Sequence, residues 1–282
     1  LSKKNGRNAI VFQARTVGRS CVAAKKVVPV LTEVLRSGYY PDDSNRRIIN
    51  EEYHQYIFIQ EDRFKLLSGV ARMNKGKSHF NGDNFLISRL ECGKAIAAIA
   101  DGMGSGKRAY IESRMVIELM ENCIDAGFDE KASIDLINSA YIAGGGTGNP
   151  VTMDMSVIDC QSGYMHCMKL GAVSTFIRRD KWVEIIQSTT LPMGVLEQVD
   201  YDCTTKKLYD GDYIVMVSDG VLDNIPCVNK EERMAQMIHA LTIREPSAMA
   251  EKLLEQSLAY NDMKASDDCT VLVLGLFDTY EK

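Results

Sequence analysis

The order of secondary-structure patterns along the chain is the feature that most restricts its fold. From residue 64 onward, most of the chain consists of short apolar runs with the length and composition of β-strands, and two pairs of helical patterns interrupt them. Folds with a parallel sheet alternate single strands with single helices. This order therefore predicts an α+β sandwich and disfavours an alternating parallel-sheet fold.

Nine segments predict strands, four predict helices, and turn residues separate several of them. The predicted strands are 64–73, 85–91, 94–100, 153–159, 165–170, 175–178, 182–186, 213–218 and 269–277. The predicted helices are 107–126, 129–143, 231–242 and 247–260. We expect Asp129 and Ser247 to cap the second and fourth helices and Gly127 to end the first. The expected buried stripe of the first helix is Ile111, Met115, Leu119 and Ile124.

Residues 1–60 have a different pattern from the rest. The mixed apolar and basic stretch Val22–Leu35 predicts one or two helices, and residues 39–45 predict a loop. The periodicity of residues 50–59 leaves helix and strand open.

Composition excludes several classes of protein. The chain has 282 residues, with 33 Lys and Arg against 38 Asp and Glu, and this mild acidity argues against a nucleic-acid partner. No stretch approaches the ~18 consecutive apolar residues of a membrane helix. The chain begins at Leu1 without a signal peptide, so we expect a cytoplasmic piece of a longer protein. Any membrane attachment would come from a missing upstream segment.

The cysteines and histidines give no metal or disulfide signature. None of the eight cysteines forms a C-x-x-C pair, and the four histidines are scattered. Cys160 and Cys167 flank a Gln-Ser-Gly turn and could face each other across a hairpin. Reduced thiols in the core are the favoured interpretation, because nothing indicates secretion.

Four segments place an aspartate beside glycine or another acid where an apolar run begins or ends. They are Asn81-Gly82-Asp83, Asp101-Gly102-Met103-Gly104-Ser105-Gly106, Ser218-Asp219-Gly220 and Asp267-Asp268-Cys269-Thr270. Each alone is most simply a turn. Buried strands can deliver such residues to one edge, where converging carboxylates need a cation to remain ionised. Oxygen ligands of this kind suit Mg²⁺ or Mn²⁺. The glycine-rich run lacks the Gly-x-x-x-x-Gly-Lys-Ser/Thr pattern of a P-loop, which disfavours a nucleotide-binding domain.

In this order the four segments resemble the motifs of the PPM-type (type 2C) metal-dependent protein phosphatases, in the branch typified by the stage II sporulation protein E phosphatase. Leu191-Pro192-Met193-Gly194 and Gly211-Asp212 fall in the expected intervals. Asn81 replaces a serine of the usual pattern and Cys269 replaces a methionine. The resemblance covers residues ~64–277 and implies a phosphatase domain over 63–282. It also implies the α-β-β-α sandwich of that family, in which two antiparallel sheets are flanked by helices. Residues 1–62 are then expected to form a regulatory or linking segment.

The resemblance implies a centre of two Mn²⁺ or Mg²⁺ ions. Asp101 would bridge the ions, and the Gly102 carbonyl would bind one of them. Asp83 would serve that ion directly or through water, while Asp219 and Asp267 would hold the other. Two such ions can activate a water for attack on phosphorus, so Asp101, Asp219 and Asp267 would be catalytic through that water. No protein nucleophile is then needed.

The family pattern also bears on the two adjacent acids at residues 267 and 268. Side chains alternate along the strand that begins there, so only one carboxylate can face the centre. The first acid is the ligand in the family, which favours Asp267. We expect Asp268 to turn to backbone or solvent.

Two further roles remain unassigned from the sequence. His79 and His166 are general-acid candidates by residue type alone. Arg72, Arg89 and Arg108 are candidates for binding the phosphate, with no basis for choosing among them.

The function that the resemblance implies is hydrolysis of phosphoserine or phosphothreonine in a protein, favouring a phosphorylated anti-sigma-factor antagonist. The alternative is a catalytically weak binding module with the same fold, and homodimer formation is left open. We expect residues 1–60 to pack on or near the helices 107–126 and 129–143. A tilt of the first helix would move Gly102 and could thereby set metal affinity.

Overall fold

The computed structural model describes residues 2–76, 78–143 and 149–280. A small N-terminal unit precedes a four-layer sandwich. The unit contains the helix α1 (Val28–Leu35), a sheet in the order β1-β2-β6-β4 and a two-stranded ribbon, β3-β5. Its strands are β1 (Ser2–Lys4), β2 (Arg7–Ala14), β3 (Val22–Ala23), β4 (Tyr39–Pro41), β5 (Ile48–Ile49) and β6 (His54–Gln60).

The sandwich contains two five-stranded antiparallel sheets. The first has the order β14-β11-β10-β9-β8 and the second has the order β13-β12-β15-β16-β7. Their strands are β7 (Phe64–Met73), β8 (Asp83–Arg89), β9 (Lys94–Gly102), β10 (Val151–Asp159), β11 (Tyr164–Leu170), β12 (Thr175–Arg178), β13 (Val183–Ile186), β14 (Asp202–Lys207), β15 (Tyr213–Val217) and β16 (Cys269–Asp278).

Helices cover the outer face of each sheet. α2 (Lys107–Asp125) and α3 (Glu130–Ala143) lie on the side of the first sheet, where α2 packs on β8 and β9. α4 (Asp219–Asp223), α5 (Lys230–Ala240) and α6 (Pro246–Leu258) cover the second. The predicted α+β sandwich of two antiparallel sheets flanked by helices is confirmed.

Strand β9 shows why the sheets are buried on both faces. Alternate side chains of a strand point to opposite faces. Ala97 and Ile99 join the core between the sheets, whereas Ile96, Ala98 and Ala100 join the core under α2. The small alanines let the helix and the opposite sheet both approach closely.

The helix ends agree with the sequence in two cases and differ in one. Asp129 accepts a hydrogen bond from the Ala132 amide at 2.7 Å, and Gly127 ends α2 with a φ of 87°. The predicted Ser247 cap is wrong. Glu245 caps α6 instead, because its carboxylate accepts hydrogen bonds from the amides of Ser247 and Ala248.

The predicted buried stripe of α2 is wrong for Ile111 and Met115, which are exposed, whereas Leu119 and Ile124 are partly buried and pack against the core. The buried face is centred on Val116, Met120 and Cys123, and Ile111 is 52% exposed. The helix is therefore rotated from the predicted orientation.

The prediction of reduced thiols in the core is confirmed for Cys160 and Cys167, which are both free and buried.

The N-terminal unit meets the tip of the β8–β9 hairpin. Arg7 donates to the Glu91 carbonyl at 2.8 Å and pairs with Asp62 at 3.1 Å. The Gly38 amide donates to the Tyr280 hydroxyl at 2.6 Å near the other end of the chain. The expected packing on α2 and α3 is thus replaced, in the recorded contacts of the described residues, by contacts with the hairpin tip. The adjacent Lys94 pairs with Glu130 at the start of α3 at 3.0 Å.

No helix in the described parts of the chain is both long enough and apolar enough to cross a membrane.

Candidate metal centre

The ends of four strands deliver the predicted aspartates to one edge of the sandwich. Asp83 begins β8, and Asp101 lies directly opposite it near the end of β9. Asp219 follows β15 at the start of α4, and Asp267 lies two residues before the first residue of β16. β15 and β16 are neighbours in the second sheet, so each sheet contributes two of the acids.

Asp83 and Asp101 form a cross-strand pair of like charges. Residues directly opposite each other in an antiparallel pair point to the same face, with Cβ atoms about 4.5–5.5 Å apart, and like charges there are destabilising. Burial and the charge of Asp83 raise the pKa of Asp101 to about 10. The pair therefore holds protons more tightly than isolated carboxyls do.

Asp83 is completely buried, and neither of its carboxylate oxygens has a hydrogen-bond partner. Burial raises its pKa to about 7, although the nearby hydroxyls of Thr270 and Ser218 act in the opposite direction. An unpartnered buried carboxylate costs folding free energy unless something neutralises it. This orphaned acid is one feature that a cation would satisfy.

Asp101 and Asp219 bring the two sheets into contact at the centre. The charge of Asp219 raises the pKa of the Asp101 carboxyl, although Asp219 as a residue is exposed to solvent. Desolvation of the Asp219 carboxyl raises its pKa, and the charges of Asp223 and Asp267 add to this. A cavity of about 70 Å³ adjoins the pair between the sheets, with Asp101, Ser218 and Asp219 in its wall.

The two acids at residues 267 and 268 face different surroundings. The Asp268 carboxylate accepts hydrogen bonds from the backbone amides of Lys75, at 2.8 Å, and Gly82, at 2.7 Å, and it is almost fully buried. Asp267 is partly exposed, and its carboxylate lies 3.4 Å from the Lys75 ammonium. The backbone-directed orientation expected for Asp268 is present, and it fastens the loop that carries Asp83.

Two glycines permit the close packing around the acids. A Cβ on Gly102 would lie 2.4 Å from the Ala109 carbonyl in the first turn of α2, and one on Gly220 would lie 2.1 Å from the Asp268 carbonyl. Neither position can accept a side chain without backbone movement. Ser113 of α2 also donates to the Gly82 carbonyl at 2.5 Å. Helix α2 therefore contacts both loops of the first sheet that carry candidate ligands.

The candidate phosphate-binding arginines occupy three different places. Arg72 donates to the Asp83 carbonyl and lies over the Phe85 ring, so it supports the backbone of a candidate ligand. Arg89 is at the far end of β8, where it donates to the Phe64 carbonyl. Arg108 pairs with Glu112 within α2 at 3.3 Å.

The two candidate general acids lie in different places relative to the edge of the sandwich that carries the acids. His166 lies in the middle of β11, opposite Val157, and is exposed away from the strand ends. His79 is exposed in the loop before Asn81. His166 therefore does not belong to the edge that carries the acids.

Asn81 and the pair Lys169–Asp154 support the site without having been assigned roles from the sequence. Asn81 accepts from the Asp83 amide at 3.0 Å and donates to Asn74 at 2.9 Å, so it rigidifies the loop where the family has serine.

Lys169 and Asp154 form a fully buried ion pair at 2.5 Å, and Asp154 lines the small cavity. The predicted strands 153–159 and 165–170 contain both residues, but no sequence signal indicates that their charges pair.

No three acidic, histidine or cysteine side chains in the described ranges enclose a common point tightly enough to define an ion site. The donor set nevertheless fits hard divalent cations, because it consists of oxygen atoms from several carboxylates and a carbonyl. The orphaned carboxylate of Asp83 and the mutually repelling carboxyls of Asp101 and Asp219 are the groups that such cations would neutralise.

Comparisons with known proteins identify the family. The family model for stage II sporulation protein E (SpoIIE) matches residues 92–277. The stage II sporulation protein E of Bacillus subtilis strain 168 is 30% identical over 253 residues, which are 89% of this chain and 31% of that protein. The Priestia megaterium protein is also 30% identical over 253 residues, covering 89% of this chain and 43% of its own length. The chain thus spans less than half of these curated relatives.

Solved structures agree with this assignment. A structure of the PP2C phosphatase domain of Bacillus subtilis SpoIIE with a fragment of its regulatory domain has a TM-score of 0.80 and 28% identity. It covers 99% of this chain, which covers 81% of it. The phosphatase domain alone, in a crystal form without domain swapping, has a TM-score of 0.64 and 30% identity over 79% of this chain and 96% of that one. The chain therefore belongs to the stage II sporulation protein E family and carries a PP2C-type protein phosphatase domain.

Proposed function

We propose that this protein is a metal-dependent phosphatase that hydrolyses phosphoserine or phosphothreonine monoesters in a protein substrate. One observation carries the proposal. Four carboxyls from two sheets meet at one edge, where Asp83 is buried without a hydrogen-bond partner and the pKa of Asp101 is raised by burial and by the charges of Asp83 and Asp219. Folding alone gives no reason to assemble such a repulsive cluster, because its members raise one another's pKa.

The proposed ligands are Asp83, Asp101, Asp219, Asp267 and the carbonyl of Gly102. Two Mn²⁺ or Mg²⁺ ions bound there would activate a water and stabilise the charge that develops on the phosphoryl group. Asp101, at the junction of the two sheets, is the proposed bridging ligand. The contacts of α2 with Gly82 and Gly102 hold the two loops of the first sheet in a fixed relation.

The proposed substrate is a phosphorylated protein of the anti-sigma-factor-antagonist type. Membership of the SpoIIE family supports this class of substrate, as does the open and exposed setting of Asp219 and Asp267. A phosphoserine on a folded protein needs such an accessible centre, since its side chain is short. A cytoplasmic location fits that substrate, and homodimer formation remains part of the proposal to be tested by sedimentation.

The division at residues 62 and 63 is also a proposal. Two observations support it. The N-terminal unit has a separate hydrophobic core. The SpoIIE structure that includes a fragment of the regulatory domain covers 99% of this chain, whereas the structure of the phosphatase domain alone covers 79%. Removing residues 1–60 and titrating Mn²⁺ against activity tests whether this unit regulates the centre. A shift in the half-maximal Mn²⁺ concentration supports regulation, whereas an unchanged value in a folded domain contradicts it.

Hydrolysis of p-nitrophenyl phosphate and of a phosphoseryl protein, each with Mn²⁺ or with EDTA, tests the activity. We expect hydrolysis with Mn²⁺, loss of activity with EDTA, and at least a 100-fold lower kcat in Asp101→Asn, because the bridging charge is removed. Stable binding of the phosphoprotein without hydrolysis would instead identify a binding module that has this fold.

A further inference from the structure

Lys75 lies at the mouth of the carboxylate cluster in the loop after β7. Its backbone amide donates to the buried Asp268 carboxylate at 2.8 Å, and the same carboxylate accepts from Gly82 at 2.7 Å. The preceding residue is fixed as well, because the Asn74 side chain accepts from Asn81 at 2.9 Å. The backbone of Lys75 is therefore anchored beside the centre, while its side chain extends into a partly exposed position.

The Lys75 ammonium is only loosely held. Its nitrogen lies 3.4 Å from a carboxylate oxygen of Asp267, and the two side chains are 43% and 40% exposed. An exposed ion pair of this kind contributes little free energy. The ammonium can therefore exchange Asp267 for another anion without much cost.

Other basic side chains near the cluster are committed to the protein itself. Arg72 donates to the Asp83 carbonyl, and Arg108 pairs with Glu112. Across the described ranges, Lys75 is the basic side chain whose recorded ion pair is with one of the proposed ligand carboxylates. Lys75 thus has an anchored backbone and an exposed ammonium on the solvent-facing side of the centre.

We propose that Lys75 binds a phosphoryl oxygen of the substrate, an inference that rests on the proposed phosphatase function. A phosphate monoester is a dianion, and lysine is a common point-charge ligand for phosphate in proteins. Metal binding to Asp267 would take away the partner that Lys75 has in this structure. The ammonium would then face the mouth of the site, where the phosphoryl group enters.

This placement gives Lys75 two opposite effects. Its positive charge attracts the phosphoryl group, and the same charge beside Asp267 opposes the binding of a divalent cation. Neutralising Lys75 is therefore expected to weaken phosphate binding and to strengthen metal binding. A residue that merely supported the loop would weaken both.

Three variants test the inference: Lys75→Gln, Lys75→Arg, and Lys65→Gln as a control at the exposed far end of β7. Inorganic phosphate serves as the probe, both as an inhibitor of aryl phosphate hydrolysis and as a ligand of the Mn²⁺-loaded protein in calorimetry. We expect Lys75→Gln to weaken phosphate binding about 10-fold and to raise KM for a phosphoseryl protein more than it lowers kcat. Lys75→Arg should retain most of the affinity, and Lys65→Gln should match the wild type.

Calorimetry with Mn²⁺ alone supplies a readout independent of activity. Lys75→Gln is expected to bind Mn²⁺ a few-fold more tightly than the wild type, and Lys65→Gln is expected to be unchanged. Unchanged phosphate affinity in folded Lys75→Gln, or weakened binding of both phosphate and Mn²⁺, would overturn the inference. Absence of hydrolysis in the wild type would refute the proposed function instead, and calorimetric binding of phosphate would still decide the role of Lys75.

Discussion

Asp83 and Asp101 stand directly opposite each other in the β8–β9 hairpin, so two acids share one face of one strand pair. Like charges in this arrangement are destabilising. The hairpin therefore gives up stability to hold them together, and a divalent cation is the partner that would recover it.

The metal-free protein is expected to lose stability as the pH rises from 5 to 8. In the folded state the pKa of Asp83 is raised to about 7 and that of Asp101 to about 10. The folded protein thus keeps protons that the unfolded chain releases above its ordinary pKa of about 4, and rising pH favours the unfolded chain. Urea unfolding in EDTA measures this dependence.

The Asp101→Asn variant is the control for the pH dependence. It removes one titrating group and the repulsion, so its unfolding free energy is expected to vary less over the same range. A wild-type stability that increases from pH 5 to pH 8 in EDTA would contradict the assigned pKa directions.

Substitutions at Asp267 and Asp268 are expected to change different properties of the protein. Asp267→Asn should weaken Mn²⁺ binding and activity with little change in Tm, because its carboxylate is partly exposed. Asp268→Ala should lower the free energy of unfolding by about 1.5–3 kcal/mol or more, because it leaves the Lys75 and Gly82 amides without their charged acceptor. Thermal melts and Mn²⁺ calorimetry on both variants separate the roles. Greater loss of Mn²⁺ affinity in Asp268→Asn than in Asp267→Asn would reverse the assignment.

The fold was more predictable than the details of the site. Strands β15 and β16 are apolar because both their faces are covered, and the apolar runs of the sequence predict both of them. Strand β14, with the sequence Asp-Cys-Thr-Thr-Lys-Lys, was missed because it is a polar strand at the edge of its sheet. β4 was taken for a loop because proline and aspartates dominate its surroundings.

The site depends on contacts between distant residues that local patterns do not encode. Periodicity could show that Asp267 and Asp268 cannot both face the centre. It could not show that Asp268 holds amides almost two hundred residues away in sequence. The orientation of α2 was also missed, because its apolar residues lie on more than one face and only packing selects the buried one.

The buried pair Lys169–Asp154 is expected to matter for stability more than any exposed ion pair. Lys169 also donates to the Val173 carbonyl at 2.6 Å, so the pair holds the segment that borders the small cavity. Lys169→Met should cost about 3–5 kcal/mol because Asp154 would remain buried and unpaired. Lys252→Met, which removes an exposed pair with Glu255, should cost about 1 kcal/mol or less. Chemical denaturation compares the two, and equal costs would contradict the account.

Gly102→Ala is expected to weaken Mn²⁺ binding by moving α2. The added Cβ would meet the Ala109 carbonyl at 2.4 Å, so either the helix or the Gly102 peptide must shift. Gly211→Ala is the control, because Gly211 has open space around it and a positive φ of 77°. It should cost stability alone. Calorimetry that finds wild-type Mn²⁺ affinity in folded Gly102→Ala would remove Gly102 from the proposed centre.

Anomalous diffraction from crystals soaked in Mn²⁺ tests the central claim most directly, because it locates the ions without reference to activity. The account predicts two manganese peaks at the shared strand edge, both in contact with Asp101, with Gly102 on one side and Asp219 and Asp267 on the other. Asp101→Asn crystals should lose at least one of the two peaks. Peaks elsewhere in the chain, or none at this edge in the wild type at saturating Mn²⁺, would contradict it.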